Sequence, residues 1–165
     1  MVFYTMNIRP ATTDDLEGIV ALTEDLLENH LEYDLEYFEL AESHRLYLED
    51  WVKYHLGSTS QFIFVSEITA SGKKPVLTGY ISGYIKPLFP WFKIKQVGHL
   101  SFLAVDKRWR RKGVGNLLEE KASLWFKEKD IKYIEVYTNE KNFPGLSAWT
   151  SYGYKPFNRF LRKSL

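Results

Sequence analysis

Apolar positions along this chain recur in two rhythms, one near every 3.6 residues and one at every second residue, and the places where the rhythm changes mark the predicted elements. Phe3 to Arg9 reads as a short strand stopped at Pro10. Thr12 and Asp15 form a capping-box start, and Leu16, Ile19, Val20, Leu26 and Leu27 follow at helical spacing. A second helical stripe runs from Asp34 to Leu56 through Tyr37, Ala41, His44, Leu48, Trp51, Val52 and His55, and ends at Gly57. Gln61 to Ile68 and Val76 to Ile85 are rich in β-branched and aromatic residues, and the turn material at 69–75 joins them as a hairpin. Lys86 to Gln96 holds two prolines among its aromatics and reads as an irregular loop, after which Gly98 to Val105 resumes as a strand. A helix from Val114 to Lys129, a strand from Ile131 to Thr138, a short helix from Pro144 to Tyr152 and one or two terminal strands in YKPFNRFLRKSL complete the order. Hairpins followed by crossover helices predict an α/β chain with a mixed, mostly antiparallel sheet and helices on both faces.

Length and composition bound this picture. A chain of 165 residues, 45% hydrophobic and 26% charged, is the size and composition of one globular domain spanning 1–165. No repeat or linker interrupts it. With no cysteine, a disulfide framework, a thiolate zinc site and a cysteine nucleophile are excluded, and a reducing, cytoplasmic location is expected. The N-terminus lacks a signal-peptide layout and no apolar run approaches the roughly 20 residues of a membrane span, so no membrane partner is expected. His30, His44 and His55 have no recognised metal spacing, and no metal is expected.

The formal net charge of +1 hides a division. Residues 1–50 carry 13 acidic side chains against Arg9 and Arg45, a local charge of −11, and the remainder carries +12. Five of the six residues from Lys107 to Lys112 are basic, and Gly113-Val-Gly115 leads from them into a helix. A strand end, a basic turn, two glycines and a helix start bring backbone N–H groups together on an anion, and Arg110, Arg111 and Lys112 add charge-assisted contacts. GxxxxGK[ST] is absent, and the third glycine of the dinucleotide fingerprint is missing, so neither an NTPase nor a Rossmann dehydrogenase is supported. Nucleic-acid binding through the basic residues around Trp109 is the competing reading. The short patch and a pI near 7.9 argue against a dedicated binder, and no nucleic-acid partner is expected.

The stretch GHLSFLAVDKRWRRKGVGNLLEE resembles the acetyl-CoA motif of the GCN5-related N-acetyltransferase superfamily, whose [QR]-x-x-G-x-[GA] signature matches Arg110-Arg-Lys-Gly113-Val-Gly115. Asn142, Trp149, Gly153 and Tyr154 match a second pattern of the same families, and the element order agrees along the chain. The resemblance implies an acetyl-CoA-dependent N-acetyltransferase. It implies that backbone groups of Leu103 and Val105 pair with the pantetheine arm, that amides from Arg111 through Lys112, Gly113, Val114 and Gly115 to Asn116 hold the pyrophosphate, that Asn142 contacts the pantetheine, and that Ala104, Arg110 and Trp149 complete the cofactor-binding set. A homodimer is compatible with it, because exposed edge strands often pair in this superfamily.

The acceptor is read as a primary amine: a peptide N-terminus, a lysine or a small amine. A lysine-like amine is neutral only about once in 10³ to 10⁴ at pH 7, so a base is useful, and His99 on the cofactor strand is the candidate. Strict alternation puts His99 on one face with Ser101, Leu103 and Val105 unless a bulge intervenes. Similar acetyltransferases carry a Glu or His at this place. Where many members have a tyrosine to protonate the leaving thiolate, this chain has Trp149, so Tyr152 is the candidate acid, with Tyr137 or water as alternatives. Without a cysteine, direct attack in a ternary complex is favoured over a covalent enzyme intermediate. Glu28, Glu32, Asp34 and Glu36 are candidates for steering a cationic amine. A CoA-binding regulatory module without turnover is the alternative function.

Overall fold

The computed structural model describes residues 4–70 and 74–165. Phe3, predicted in the first strand, and Ser71, Gly72 and Lys73, predicted in a turn, lie outside the described residues. Strands β1 (Tyr4–Pro10), β2 (Gln61–Ala70), β3 (Val76–Pro87), β4 (Gln96–Val105) and β5 (Ile134–Val136) form one sheet in the order β1-β2-β3-β4-β5. Neighbours are antiparallel except β4 and β5, which run parallel and pair only at Gly98, His99 and Leu100 against Ile134, Glu135 and Val136. Helices α1 (Leu16–Leu31) and α2 (His44–Leu56) cover one face, and α3 (Val114–Glu128) covers the other. The predicted mixed sheet, with helices on both faces, is the one observed.

The covering explains the sequence of β2, whose residues 62–68 are buried without alternation because both faces meet helices. Under α1 and α2 lie Ile19, Val20, Val52, Ile63, Val65, Tyr80 and Ala104. Under α3 lie Phe62, Phe64, Ile81, Leu100, Val114, Leu118, Ala122 and Phe126. The buried Tyr80 hydroxyl is satisfied by Thr23 at 2.6 Å, so a polar atom crosses the first core without an orphaned group.

Entry into α1 is fixed by an ion network. Arg9 on β1 donates to both Asp15 oxygens, at 2.7 and 2.9 Å, and to Glu67 Oε2 on β2 at 2.7 Å. Burial pushes the Asp15 carboxyl up, but the Arg9 guanidinium and the Thr12 amide outweigh it and hold Asp15 below the usual carboxylate range. Arg9 does the same for Glu67. Asp15 and Glu67 are 6% and 8% exposed, so removing Arg9 strands two buried carboxylates. Arg9→Met is expected to cost about 3 kcal/mol in urea unfolding at pH 7, the low end for breaking a buried pair because Arg9 itself is partly solvated. The difference shrinks below the carboxylate range, where both acids take up protons.

Three boundaries differ from the sequence expectations. Residues 34–43 do not join α2: the Asp34 side chain accepts from the Tyr37 amide and starts a turn, Leu35 and Tyr37 are exposed, and the helix begins only at His44 after Ser43. The predicted strand at 131–138 is reduced to three residues, because β4 departs from β5 beyond Leu100. The tail 155–165 forms no strand and is exposed. Pro156 lacks a donor, and Phe157, Phe160 and Leu161 do not fall at alternate positions, so no single strand face collects them.

Candidate active site

The site is organised by one irregularity in β4. Ser82 pairs with Phe102 and Gly83 with Leu100, so Ser101 is an extra residue, a β-bulge. A bulge reverses the alternation. His99 pairs with Tyr84 and therefore shares the α1/α2 face with Phe102 and Ala104, whereas Leu103 and Val105 turn toward α3. The strict-alternation expectation that grouped His99 with Ser101, Leu103 and Val105 is thus corrected by the bulge.

Beyond the bulge β4 has a free edge. Asp106 N–H donates to the Thr78 carbonyl of β3, so by the two-residue repeat Ala104 also faces β3 with its backbone, while Leu103 and Val105 direct their N–H and C=O groups the other way. Arg110 Nε donates to the Val105 carbonyl on that side, at 3.0 Å. Ala104, expected among the cofactor-binding residues, pairs with Tyr80 of β3. Its methyl group is in the core and its backbone belongs to the β3 ladder.

The free edge leads into the basic turn. Arg111 and Gly113 have φ of 61° and 83°, two left-handed residues flanking Lys112, and α3 starts at Val114 with no side-chain cap. Left-handed residues alternating with ordinary ones turn successive N–H groups to one side, and the first-turn amides of a helix have no internal acceptor. This backbone fits an anion with adjacent phosphates. The basic side chains are not equivalent: Arg108 folds back onto Asp106 with contacts of 3.0 and 2.8 Å, Arg110 is on Val105, and Lys112 lies over the Trp109 ring at 4.7 Å. Trp109 is half-buried against the α3 core.

Tyr152 sits at this end of the site. A Cβ on Gly115 would lie 2.6 Å from the Tyr152 hydroxyl, so Gly115 makes room for the phenol at the start of α3. Burial, aided by Glu119, raises the Tyr152 pKa. Asn142 caps α4 (Phe143–Ser151), its Oδ1 accepting from Gly145 N–H at 3.0 Å. Trp149 packs between Tyr152 and Tyr154, and Tyr154 donates to the buried Glu119 at 2.9 Å, fastening α4 to α3.

On the α1/α2 face the bulge opens a different set. His99 is 8% exposed, its ring lies between Tyr84 at 5.0 Å and Tyr137 at 4.7 Å, and its Nδ1 is buried without a hydrogen-bond partner among the described residues. Ser82 Oγ, on the same face, is also buried and unpartnered. Lys86 Nζ donates to Glu135 at 2.9 Å and to the Tyr137 hydroxyl at 2.8 Å. Beside them Trp51, His55, Tyr84 and Ser101 line a pocket of about 310 Å³. The sequence pattern missed Tyr84, Lys86 and Glu135, whose convergence depends on the bulge register. Of the acidic candidates, Glu28, Glu32 and Glu36 are exposed, while Asp34 is engaged by Arg162.

Burial holds His99 and His55 below the ordinary imidazole pKa, with Lys86 adding to the effect at His99. The folded state therefore binds fewer protons than the unfolded state below about pH 6.5. Stability is expected to be full above that pH and to fall as pH drops toward the folded values, by about 1.4 kcal/mol per group per pH unit at most. Urea midpoints at pH 7.5 and 5.5 check this, with a smaller loss expected in His55→Gln.

The comparisons agree with this fold. The fold is similar to that of a mutant of the BH1408 protein from Bacillus halodurans, with 20% identity, TM-score 0.83 and coverage of 96% of this chain and 99% of that one. A predicted acetyltransferase from Clostridium acetobutylicum, solved with acetyl-CoA, is 15% identical with TM-score 0.75 over 97% and 96% of the two chains. The aminoglycoside 6'-N-acetyltransferase AAC(6')-Ig from Acinetobacter haemolyticus is 16% identical with TM-score 0.73 over 96% and 97%. No curated protein matches the chain in sequence. Among the described residues no helix is long and apolar enough to cross a membrane. The model of the acetyltransferase (GNAT) family matches residues 21–154, most of the chain including the bulged strand and the turn that follows it, and the chain belongs to that family.

Proposed function

We propose that residues 1–165 act as one acetyl-CoA-dependent N-acetyltransferase domain that delivers the acetyl group directly to a primary amine in a ternary complex. One observation carries this reading: at Leu103 and Val105 β4 offers a backbone edge that no strand pairs among the described residues, and this edge runs straight into the uncapped turn at Arg111 to Asn116. Acetyl-CoA combines an arm rich in amides with a diphosphate, and this strand edge and turn are complementary to those two parts in that order. Arg110, Arg111 and Lys112 add charge at the phosphates, Val114, Gly115 and Asn116 supply amides, and Asn142 and Trp149 on α4 form the outer wall. Tyr152 has its hydroxyl against Gly115 at the start of α3, and we assign it a packing role there rather than proton donation.

His99 at the bulge accepts the amine proton. An imidazole held neutral by burial is suited to it, and the adjoining pocket takes the acceptor. With an amine that is mostly protonated in water, holding the base neutral and the site partly dry favours the reactive form. The exposed Glu28, Glu32 and Glu36 draw cationic acceptors toward α1 and α2 by long-range attraction. Action on an amine rather than on a nucleic acid fits this reading, since Trp109 is half-buried and carries Lys112 on its face. A homodimer joined at the outer edge of β5 fits it as well.

The test is CoA release from acetyl-CoA over a panel of peptides, lysine derivatives, polyamines and aminoglycosides, read with a thiol reagent. The chain has no cysteine, so it contributes no background. Acceptor-dependent release is the expected result. Thermal stabilisation by acetyl-CoA without release from any amine would make the protein a CoA-binding module, and the absence of both stabilisation and release would overturn the reading.

A further inference from the structure

In this family member the position from which a tyrosine is expected to protonate the leaving sulfur is Trp149, which has no acidic hydroxyl, and Tyr152 lies at the phosphate end. A different phenol is placed at the bulge. Val136 is the last residue of β5 to pair with β4, so Tyr137 is the first residue beyond the point where the two strands part. It shares the face of His99 and Glu135, its ring is 4.7 Å from that of His99, and it is 70% exposed. The oxygen of Tyr137 accepts from Lys86 at 2.8 Å, and Lys86 is itself held by Glu135 at 2.9 Å.

That contact has a chemical direction. An ammonium group can only donate, so the phenol oxygen receives a hydrogen bond and its own proton stays free to be given to another atom. The ammonium also faces any negative charge left on the oxygen afterwards. We propose that Tyr137 is the general acid that protonates the departing CoA sulfur, with Lys86 and Glu135 as its positioning residues. This rests on the transfer reading above.

The step balances. The amine nitrogen bonds to the acetyl carbon and its proton passes to His99. The C–S bond breaks with its electron pair on sulfur, and the Tyr137 proton moves to that sulfur to give the CoA thiol. His99 is left protonated and Tyr137 ionised beside Lys86, and return of one proton from His99 to Tyr137 through solvent restores both. The groups facing Tyr137 are Lys86 from β3, His99 from β4 and Glu135 from β5.

The test uses the full chain with its best acceptor from the panel. Tyr137→Phe is expected to lower kcat about 10- to 100-fold, the low end for proton transfer because a thiol is already a fair leaving group, with KM for acetyl-CoA and for the amine changed less than about twofold. Lys86→Met is expected to lower kcat about tenfold, and Lys86→Arg to recover most of that loss, since the donor to the phenol is restored. A Tyr137→Phe enzyme with kcat within about twofold of the parent, or one that loses acetyl-CoA affinity in step with rate, overturns the proposal. Absence of turnover by the parent with every amine overturns the transfer reading instead, before any variant is compared.

Discussion

Replacing His99 with Gln is expected to lower kcat by about 10² to 10⁴-fold, the range over which a positioned proton acceptor contributes, while the affinity for acetyl-CoA measured by calorimetry stays close to that of the parent. Glutamine keeps much of the volume between Tyr84 and Tyr137, so the bulge and the free edge of β4 are preserved, but it cannot take a proton. The pH dependence separates this from a packing defect. Burial and Lys86 hold the imidazole below its ordinary range, so the ascending limb of kcat/KM in the parent is expected below pH 6.5. His99→Gln is expected to be slow at every pH and to lose that limb. A variant with a reduced but unchanged profile would mean that His99 only supports the site, and retention of full rate would remove it from the chemistry.

The parts of the molecule that were legible in the sequence are those set by local periodicity and by backbone chemistry. Thr12 and Asp15 mark the start of α1, the β-branched and aromatic content of Val76 to Ile85 marks β3, and the glycines at 113 and 115 mark a turn that needs a left-handed residue and a close approach. The parts that were not legible depend on partners distant in the chain. No local signal in GHLSFLAV places the extra residue at Ser101, because the bulge is defined by the register against β3. That one residue moves His99 from the face of Leu103 to the face of Tyr84 and brings Lys86, Glu135 and Tyr137 around it. The apparent helical stripe through Tyr37 and Ala41 failed for a related reason. Periodicity reports which residues would share a face, and Asp34 spends its side chain on the Tyr37 amide instead.

The second large effect separates backbone conformation from bulk in the phosphate turn. Gly113 has φ of 83°, and a Cβ added there would meet nothing within 4 Å, so any penalty at this position comes from the left-handed backbone and not from a clash. Valine, branched at Cβ, is among the residues least able to adopt it, whereas asparagine visits the same region readily. Holding a non-glycine residue in such a conformation costs about 1 to 3 kcal/mol, and relaxing it would turn the first amides of α3 away from a common point. Gly113→Val is therefore expected to weaken acetyl-CoA binding about 100-fold by calorimetry, with kcat at saturating donor much less affected, because His99 lies on β4, on the far side of the bulge from the turn. Gly113→Asn is expected to bind within about fivefold of the parent, since its backbone can hold the same turn. Equal losses in the two variants would show that the turn requires open space rather than a left-handed residue, and unchanged binding in both would place the diphosphate elsewhere.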